Sequence, residues 1–258
     1  MKRFLLSSPP GPNGTIRLGG EDYHYLVRVR RLKPGMSFDA ALPGGNEITV
    51  RILSTADKIL TGECLYGIAK QSPPLPPLAL FQGLPKGSKM DLIVRQAAEV
   101  GLSIVAPFES EYSAARLDKT SAEKQSRWER IIREARQQSG SVIETRVLSP
   151  QKFDTALEYW ESLKKEYSRP LGILFHQDPL AKGSFHDYLD RNPDFVAFAV
   201  GPEGGFSPAE VSRFLAAGWK PVLLGTTILR TETAALYGAA AIQTILLESV
   251  TWAPSLKE

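Results

Sequence analysis

The sequence predicts an α/β protein in which a small β-rich domain precedes a larger domain built around a parallel sheet. Three observations support this prediction: a proline-rich break at about residues 71–77, short strand-like runs before it, and alternating apolar strands and amphipathic helices after it. The 258 residues suffice for two modest domains, each with its own core. We therefore predict one domain at residues 1–72 and a second at residues 73–258.

The first domain is predicted to be a small β-barrel. Its strand-like runs recur at intervals of about ten residues and are separated by turn signals such as Lys33-Pro34-Gly35. One short helix is expected among them, over Glu21–Leu32. The predicted strands are Phe4–Leu6, Met36–Ala40, Glu47–Leu53 and Leu60–Tyr66.

Prolines set the boundary between the domains. Four of the five residues from Pro73 to Pro77 are proline, which continues neither a helix nor a central strand. A segment of this kind is stiff and extended, so it is typical of an interdomain linker.

The second domain is predicted to alternate strands and helices. Two of its strand-like runs are entirely apolar, as expected for parallel strands that are covered on both faces. Helix starts are indicated by capping-box patterns at Ser88 with Asp91, Thr120 with Glu123 and Ser207 with Glu210. The predicted strands are 79–81, 104–108, 171–175, 195–200 and 221–224, and the predicted helices are 88–100, 120–138, 153–165, one that opens at 207, and 233–248.

Composition excludes several classes of protein. No run approaches 18 apolar residues, so we expect no transmembrane helix, and the apolar run Phe4–Leu6 is too short for a signal peptide. The single cysteine, Cys64, excludes an intramolecular disulfide and a cysteine-based zinc site. Three separated histidines argue against a catalytic metal. We expect a cytoplasmic protein without a metal.

Positive charge is concentrated in the first domain. Residues 1–72 contain 10 Lys/Arg and 6 Asp/Glu, a balance of +4, whereas the whole chain carries +3. Four cations lie within six residues: Arg28, Arg30, Arg31 and Lys33. This cluster is either a contact surface for a polyanion or simply a solvated face, and its density alone does not decide between them.

The segment Val200–Ser207 is the first candidate site. Its sequence is Val-Gly-Pro-Glu-Gly-Gly-Phe-Ser, and it joins an apolar strand to a well-capped helix. Glycines allow a backbone to approach a ligand closely, and ligands of open α/β sheets bind at the carboxyl ends of the strands. The alternative is a tight turn without a ligand, although a turn alone rarely needs this combination of residues.

The segment Leu224–Ala234 is the second candidate site. Its sequence is Leu-Gly-Thr-Thr-Ile-Leu-Arg-Thr-Glu-Thr-Ala. Thr231, Glu232 and Thr233 are explained equally well by capping of the following helix. Capping does not explain Ile228 and Leu229, which suggest contact with a flat apolar group.

Together, these two segments resemble the bacterial small-subunit (16S) ribosomal RNA uridine N3-methyltransferases, which belong to the SPOUT class. The resemblance extends along nearly the whole chain. Supporting segments are His24–Gly35, Lys86-Gly87 with Ala97–Gly101, Arg133–Ala135 with Gln138-Ser139, and Phe175-His176.

The resemblance implies a SPOUT-type parallel sheet with a C-terminal trefoil knot, preceded by a PUA-like barrel that binds RNA. It also implies a homodimer formed through helices of the knot, with Ala234–Leu247 as a contributor. The implied partner is ribosomal RNA in the small subunit, and the implied methyl donor is S-adenosylmethionine. By position, the donor pocket would use Phe175, His176, Gly201, Glu203, Gly204, Leu224, Gly225, Ile228, Leu229 and Thr233.

The sequence departs from the family pattern at four positions. The family usually has arginine in place of Thr227 and of Ser141, often lysine in place of Gln96, and a second histidine in place of Tyr25. Each departure removes a contact to phosphate or base, so the departures concern RNA binding more than the donor pocket.

The implied reaction is attack of uracil N3 on the methyl group of the donor. The N3 proton must leave, and negative charge spreads onto O2 and O4. We expect Arg230 to stabilise this charge and Glu203 to accept the proton. His176 lies at a strand end, where a histidine is more often structural.

Two other functions remain open at this stage. A SPOUT methyltransferase with another RNA target would share the same loops, although the Ile-Leu-Arg-Thr-Glu-Thr-Ala motif argues against a ribose target. A non-catalytic RNA-binding protein would share the basic first domain, although the glycine loops argue against it.

Overall fold

The computed structural model describes residues 4–6, 8–42, 47–68, 75–117, 121–178, 180 and 183–251. The chain divides into two compact units. The first comprises residues 1–72 together with 136–144, and the second comprises residues 73–135 and 145–258. The first four positions of the linker predicted at about 71–77 lie outside the described residues.

The first unit contains a five-stranded sheet in the order β1-β3-β4-β5-β2. The pairing of β1 with β3 is parallel and the other pairings are antiparallel. Four of the strands occupy the predicted positions, and β2 was not predicted. The strands are β1 (Phe4–Leu5), β2 (Thr15–Leu18), β3 (Ser37–Ala41), β4 (Glu47–Ser54) and β5 (Leu60–Ile68).

The helix of the first unit differs from the prediction. A short α1 (Gly20–Tyr23) continues as a π-helix over His24–Val29, and the N–H of Arg30 donates to the carbonyl of Tyr25 at 2.9 Å. Arg31 then adopts a φ of 56° and ends the helix, so the prediction of a helix to Leu32 is wrong. Arg28 and Arg31 therefore do not share a helix face.

The second unit is built on a seven-stranded sheet in which every pairing is parallel. Six strands follow the order β12-β10-β11-β6-β7-β8, and β9 also pairs with β7. Its strands are β6 (Leu78–Gly83), β7 (Ile104–Glu109), β8 (Arg146–Val147), β9 (Gln151–Lys152), β10 (Pro170–Phe175), β11 (Phe195–Val200) and β12 (Lys220–Val222). The helices that alternate with them are α2 (Lys89–Glu99), α3 (Ser121–Ser139), α4 (Phe153–Glu166), α5 (Phe185–Leu189), α6 (Pro208–Ala216) and α7 (Thr231–Thr251). Residues 136–139 of α3 are grouped with the first unit.

Both faces of this sheet are covered, as the apolar strands predict. Successive residues of a strand point to opposite faces, so Phe198 belongs to one core and Ala199 to the other. The second core includes Trp160 and Trp219, whose ring centroids lie 4.9 Å apart. Because all strands run parallel, the loops after β6, β10, β11 and β12 emerge at the same edge.

The helix starts only partly follow the predictions. The capping box of Ser207 and Glu210 is confirmed, with Pro208 at the first turn of α6. The capping box predicted at Ser88 is wrong, because the Asp91 carboxylate accepts hydrogen bonds from Arg127 and from the indole of Trp128 instead. The position predicted for the α3 box, Thr120, lies outside the described residues.

Among the described helices, none is both long and apolar enough to cross a membrane. Within the same described part of the chain, no three His, Cys, Asp or Glu side chains form a group that could hold a metal ion.

Candidate active site

A cavity of about 390 Å³ opens at the carboxyl edge of the parallel sheet. Two segments form most of its wall: residues 200–207, which follow β11 and are here called the first loop, and residues 223–231, which follow β12 and are called the second loop. The end of β10 contributes further residues. The lining residues are Lys89, Phe175, His176, Gln177, Val200, Gly201, Pro202, Glu203, Gly204, Gly205, Phe206, Leu223, Leu224, Gly225, Thr226, Thr227, Ile228, Leu229, Arg230, Thr231 and Ala234.

The structure brings almost all the predicted pocket residues to this cavity. Arg230 lines the wall as well, together with Thr227, where the family usually has arginine. Thr233 does not line the cavity and is exposed on α7, which begins two residues earlier than predicted. Thr231 is the threonine that lines the cavity.

The first loop is fixed by close backbone packing. A Cβ atom at Gly83 would lie 2.6 Å from Cδ and 2.9 Å from N of Pro202, so the end of β6 fits against the loop only as glycine. Within the loop, the N–H of Gly205 donates to the carbonyl of Pro202 at 2.9 Å, and Gly205 has a φ of +71°. The loop is thus a tight turn seated on the neighbouring strand.

Gly204 packs against Tyr112, in the turn that follows β7. A Cβ atom at this position would lie 2.8 Å from Cβ of Tyr112. The buried carboxylate of Glu210 fixes that turn, because it accepts hydrogen bonds from the Ser110 hydroxyl at 3.0 Å and the Glu111 N–H at 2.9 Å. A side chain at Gly204 would therefore displace Tyr112 before it reached a ligand.

Glu203 is held by groups at the first residue of α2 and just before it. Its carboxylate lies 2.8 Å from Lys89 Nζ and accepts the N–H of Lys86 at 3.3 Å. Burial raises the pKa of Glu203, but the hydrogen bonds from Lys89 and from backbone N–H groups outweigh it, so the pKa is lowered overall. The same hydrogen bond raises the pKa of Lys89. Lys89 also forms an ion pair with Glu232 at 3.4 Å. A carboxylate held in this way is a weaker proton acceptor than a free one.

The second loop is far more open. Ile228 is 84% exposed, and Leu223 is 44% exposed. A Cβ atom at Gly225 would have no neighbour within 4 Å among the residues that the structure describes. The side chain of Arg230 is exposed and, among the described residues, has no ion-pair partner, whereas the other cation of the wall, Lys89, is paired.

The end of β10 forms the floor of the cavity. The ring of Phe175 packs so closely on α7 that a Cβ atom at Gly238 would lie 2.2 Å from it. His176 Nδ1 accepts the N–H of Asp178 at 3.1 Å, so its own turn orients the imidazole. This contact agrees with the structural interpretation of His176.

Two further groups shape the site and were not among the residues predicted from sequence. Lys89 joins Glu203 to Glu232, and Gln82 donates a hydrogen bond to Thr231. Gln82 does stand out in the sequence as a polar residue directly after the apolar run Leu78–Phe81.

In the first unit, the basic residues have different environments. Arg28, Arg31 and Lys33 are exposed. Arg30 is half-buried, and its Nη1 atom is buried without a hydrogen-bond partner among the described residues. Three of the four predicted RNA contacts are therefore accessible to a polyanion.

Comparison with known families agrees with this architecture. A model described as an RNA methyltransferase domain matches residues 71–243, and a model described as an RNA methyltransferase PUA domain matches residues 18–63. The first match spans the sheet and cavity of the second unit, and the second spans β3, β4 and part of the remaining sheet of the first unit.

Individual proteins resemble the chain over most of its length. Ribosomal RNA small subunit methyltransferase E of Bacillus subtilis (strain 168) is 30% identical over 90% of this chain and 92% of its own. The protein of the same name from Synechocystis is 32% identical over 90% of this chain and 74% of its own. The crystal structure of the Neisseria gonorrhoeae protein of that name, bound to S-adenosyl methionine, is 27% identical with a TM-score of 0.79 and covers 95% of this chain and 98% of its own. The chain therefore belongs to the family of the ribosomal RNA small subunit methyltransferases E.

Proposed function

We propose that this protein transfers the methyl group of S-adenosylmethionine to N3 of a uridine in small-subunit (16S) ribosomal RNA. The observation that carries the proposal is the cavity between the two loops, which has Arg230 on its wall without an ion-pair partner among the described residues. The related Neisseria gonorrhoeae protein, whose crystal structure contains S-adenosyl methionine, supports the choice of methyl donor.

The cavity suits a ligand of this size and chemistry. Its volume of about 390 Å³ lies within the usual range for small-molecule sites. The open space at Gly225 leaves backbone groups accessible, and Ile228 offers an apolar surface for an adenine ring. We therefore assign the methyl donor to the first and second loops, with Phe175 as part of the floor.

When bound, S-adenosylmethionine supplies an electrophilic methyl group. The N3 proton would leave to water at the open side of the cavity, N3 would bond to the methyl group, and the bond from that methyl group to sulfur would break to release S-adenosylhomocysteine. The task of the protein is to position uracil N3 in line with the methyl group and to stabilise the charge that develops on O2 and O4. Arg230 suits this role because its guanidinium is exposed on the wall and is not neutralised by a carboxylate among the described residues. The ion pair of Glu203 with Lys89 makes Glu203 better suited to holding the first loop than to accepting the N3 proton.

The first unit would supply affinity for RNA. The exposed Arg28 and Arg31 are available for phosphate contacts, which orient RNA without reading its sequence. Replacing either residue with alanine should weaken binding and reduce the slope of log affinity against log salt by about 0.7–0.9 per lost phosphate contact. Arg51→Ala, at an exposed arginine of β4 outside the cluster, is the matched control. Equal salt slopes for all variants and the parent would exclude these phosphate contacts.

We also infer that the second unit forms the C-terminal trefoil knot of the SPOUT class and that two chains associate through α7. That helix is largely apolar, and Tyr237 on it is 52% exposed. Light scattering after gel filtration should give the mass of two chains. We also infer a cytoplasmic location, which a ribosomal substrate would require.

The decisive experiment is a methylation assay with labelled methyl donor on purified small subunits and on naked 16S RNA. Digestion to nucleosides and mass spectrometry should identify 3-methyluridine. A ribose-methylated product would indicate a different target, and no transfer together with no donor binding would favour a non-catalytic RNA-binding protein.

A further inference from the structure

Three distant segments of the second unit meet at the Thr231 hydroxyl. This hydroxyl donates to the carbonyl of Gly201, in the first loop, at 2.7 Å. It accepts a hydrogen bond from Nε2 of Gln82, at the end of β6, at 2.9 Å. Thr231 is only 4% exposed, and Gln82 is fully buried. The first loop, the second loop and the central strand are therefore joined by one buried polar group.

The orientation of the Gln82 amide follows from its partners. Nε2 also donates to the carbonyls of Gly83 at 2.8 Å and Val200 at 3.4 Å. Carbonyl oxygens only accept hydrogen bonds, so the reversed amide would place oxygen against oxygen. In the observed orientation, Oε1 is buried without a partner among the described residues. An apolar side chain would not bury an oxygen without a hydrogen bond. The stabilising contribution of Gln82 therefore comes from the hydrogen bonds that its amide nitrogen donates.

Helix capping does not account for Thr231. Both hydrogen bonds of its hydroxyl go to other segments of the chain. The start of α7 is instead supported by the backbone, since the N–H of Ala234 donates to the carbonyl of Arg230 at 2.8 Å. Removal of the hydroxyl should therefore leave the start of α7 intact.

We propose that Gln82 and Thr231 are positioning residues that hold the two loops at a fixed separation before the methyl donor binds. The inference rests on the proposed donor site between the loops. A pocket whose loops are already ordered binds more tightly, because less conformational entropy is lost on binding. Gln82 is not among the residues that line the cavity, so its effect on the donor is exerted through Thr231 and Gly201.

The test compares two threonines of the same helix in the full-length protein. Thr231→Val removes the hydroxyl with little change of shape, Thr231→Ser retains it, and Thr233→Val makes the same change at an exposed position outside the cavity. Donor affinity is measured by calorimetry, and KM for donor and for RNA by initial rates, well below the melting temperature.

Thr231→Val should lower donor affinity by at least about tenfold, because it leaves buried partners without a hydrogen bond. Thr231→Ser should restore affinity to within about threefold of the parent, and Thr233→Val should have no effect. In Thr231→Val, KM for the donor should rise while KM for RNA is unchanged. Unchanged donor affinity in Thr231→Val, or an equal loss in Thr233→Val, would overturn the proposal.

A second variant keeps the test decisive if Thr231→Val folds poorly. Gln82→Met has a similar size without the amide, and it should also lower donor affinity. The double variant should lose little more than either single variant, because both act through one network. Fully additive losses would refute a shared network. A parent protein that binds no S-adenosylmethionine would instead refute the proposed function on which the inference rests.

Discussion

The two loops that line the cavity are held by the rest of the protein in different ways. The first loop packs against Gly83, and its Glu203 bonds to the start of α2. The second loop has exposed apolar side chains, and its described residues 223–229 take part in no backbone hydrogen bond of the turn or loop type. Leu224 packs against the core, and at the end of the loop the Thr231 hydroxyl bonds to Gly201.

This difference suggests separate tasks for the two loops. The first presents backbone groups in a fixed arrangement, which suits the part of a ligand that must be placed accurately. The second exposes Ile228, and covering this side chain with a ligand would remove apolar surface from water. Substitutions in the first loop should therefore affect folding and binding together, whereas those at the exposed positions of the second loop should affect binding or rate alone.

The largest effect is expected at Arg230. Arg230→Ala should lower the single-turnover rate of methylation at saturating substrates by about 100-fold or more, because a hydrogen-bond donor directed at the developing negative charge contributes about that factor. Donor affinity and melting temperature should change little, since the side chain is exposed. Rapid-quench kinetics at saturating donor measures the rate directly. A variant that lost only donor affinity, with an unchanged saturated rate, would exclude the role in charge stabilisation.

The next largest effect is expected on stability, where Gly83, which packs against the first loop, is compared with Gly225 in the second loop. Gly83→Ala should destabilise the protein by about 1–3 kcal/mol, because its methyl group would overlap the ring atoms Cδ and N of Pro202. Gly225→Ala should leave the melting temperature unchanged, because a Cβ atom there contacts none of the described residues within 4 Å. Thermal unfolding of both variants provides the comparison. Equal melting temperatures for Gly83→Ala and Gly225→Ala would mean that the first loop moves to accommodate a methyl group at no greater cost than the second.

Much of the fold could be predicted because it depends on local patterns. The predicted strand 195–200 has the observed bounds of β11, and the pattern from Ser207 to Glu210 gives the start of α6. The meeting of the two loops also follows from sequence, since parallel strands place their carboxyl ends at one edge. Each of these inferences requires only neighbouring residues and the direction of the strands.

The features that were not predicted from sequence depend on contacts between residues that are distant along the chain. Asp91 fits a capping pattern but bonds to Trp128 in α3. The need for glycine at position 238 arises from the ring of Phe175. The bond between Gln82 and Thr231 joins residues 149 positions apart. No local pattern contains these pairings, so a single sequence cannot reveal them.

A smaller effect is expected at Ile228. Ile228→Ser should lower donor affinity by about tenfold, because complete burial of an isoleucine side chain contributes about 1.5–3 kcal/mol and a ligand would cover only part of it. The melting temperature should not fall, because the side chain is 84% exposed. Val29→Ser, at a residue of the first unit that is 58% exposed, controls for the loss of exposed apolar surface. Equal donor affinity in Ile228→Ser and the parent would mean that this side chain lies outside the contact.

The smallest effect concerns the charge that holds the first loop. The pKa of Glu203 is lowered, so the contribution of its carboxylate is present above the ordinary pKa and is lost only as pH falls through the lower folded value. The ordinary pKa of a glutamate side chain is about 4.3, so Glu203 stays ionised throughout the range from pH 7 to pH 5. Affinity for the methyl donor should therefore show no loss from this group in that range. Glu203→Gln should weaken binding about threefold at neutral pH, as expected for a partly exposed ion pair, with little change in the saturated rate. A large fall in that rate, with donor affinity retained, would instead identify Glu203 as the proton acceptor, and the first loop would then take part in the chemistry as well as in binding.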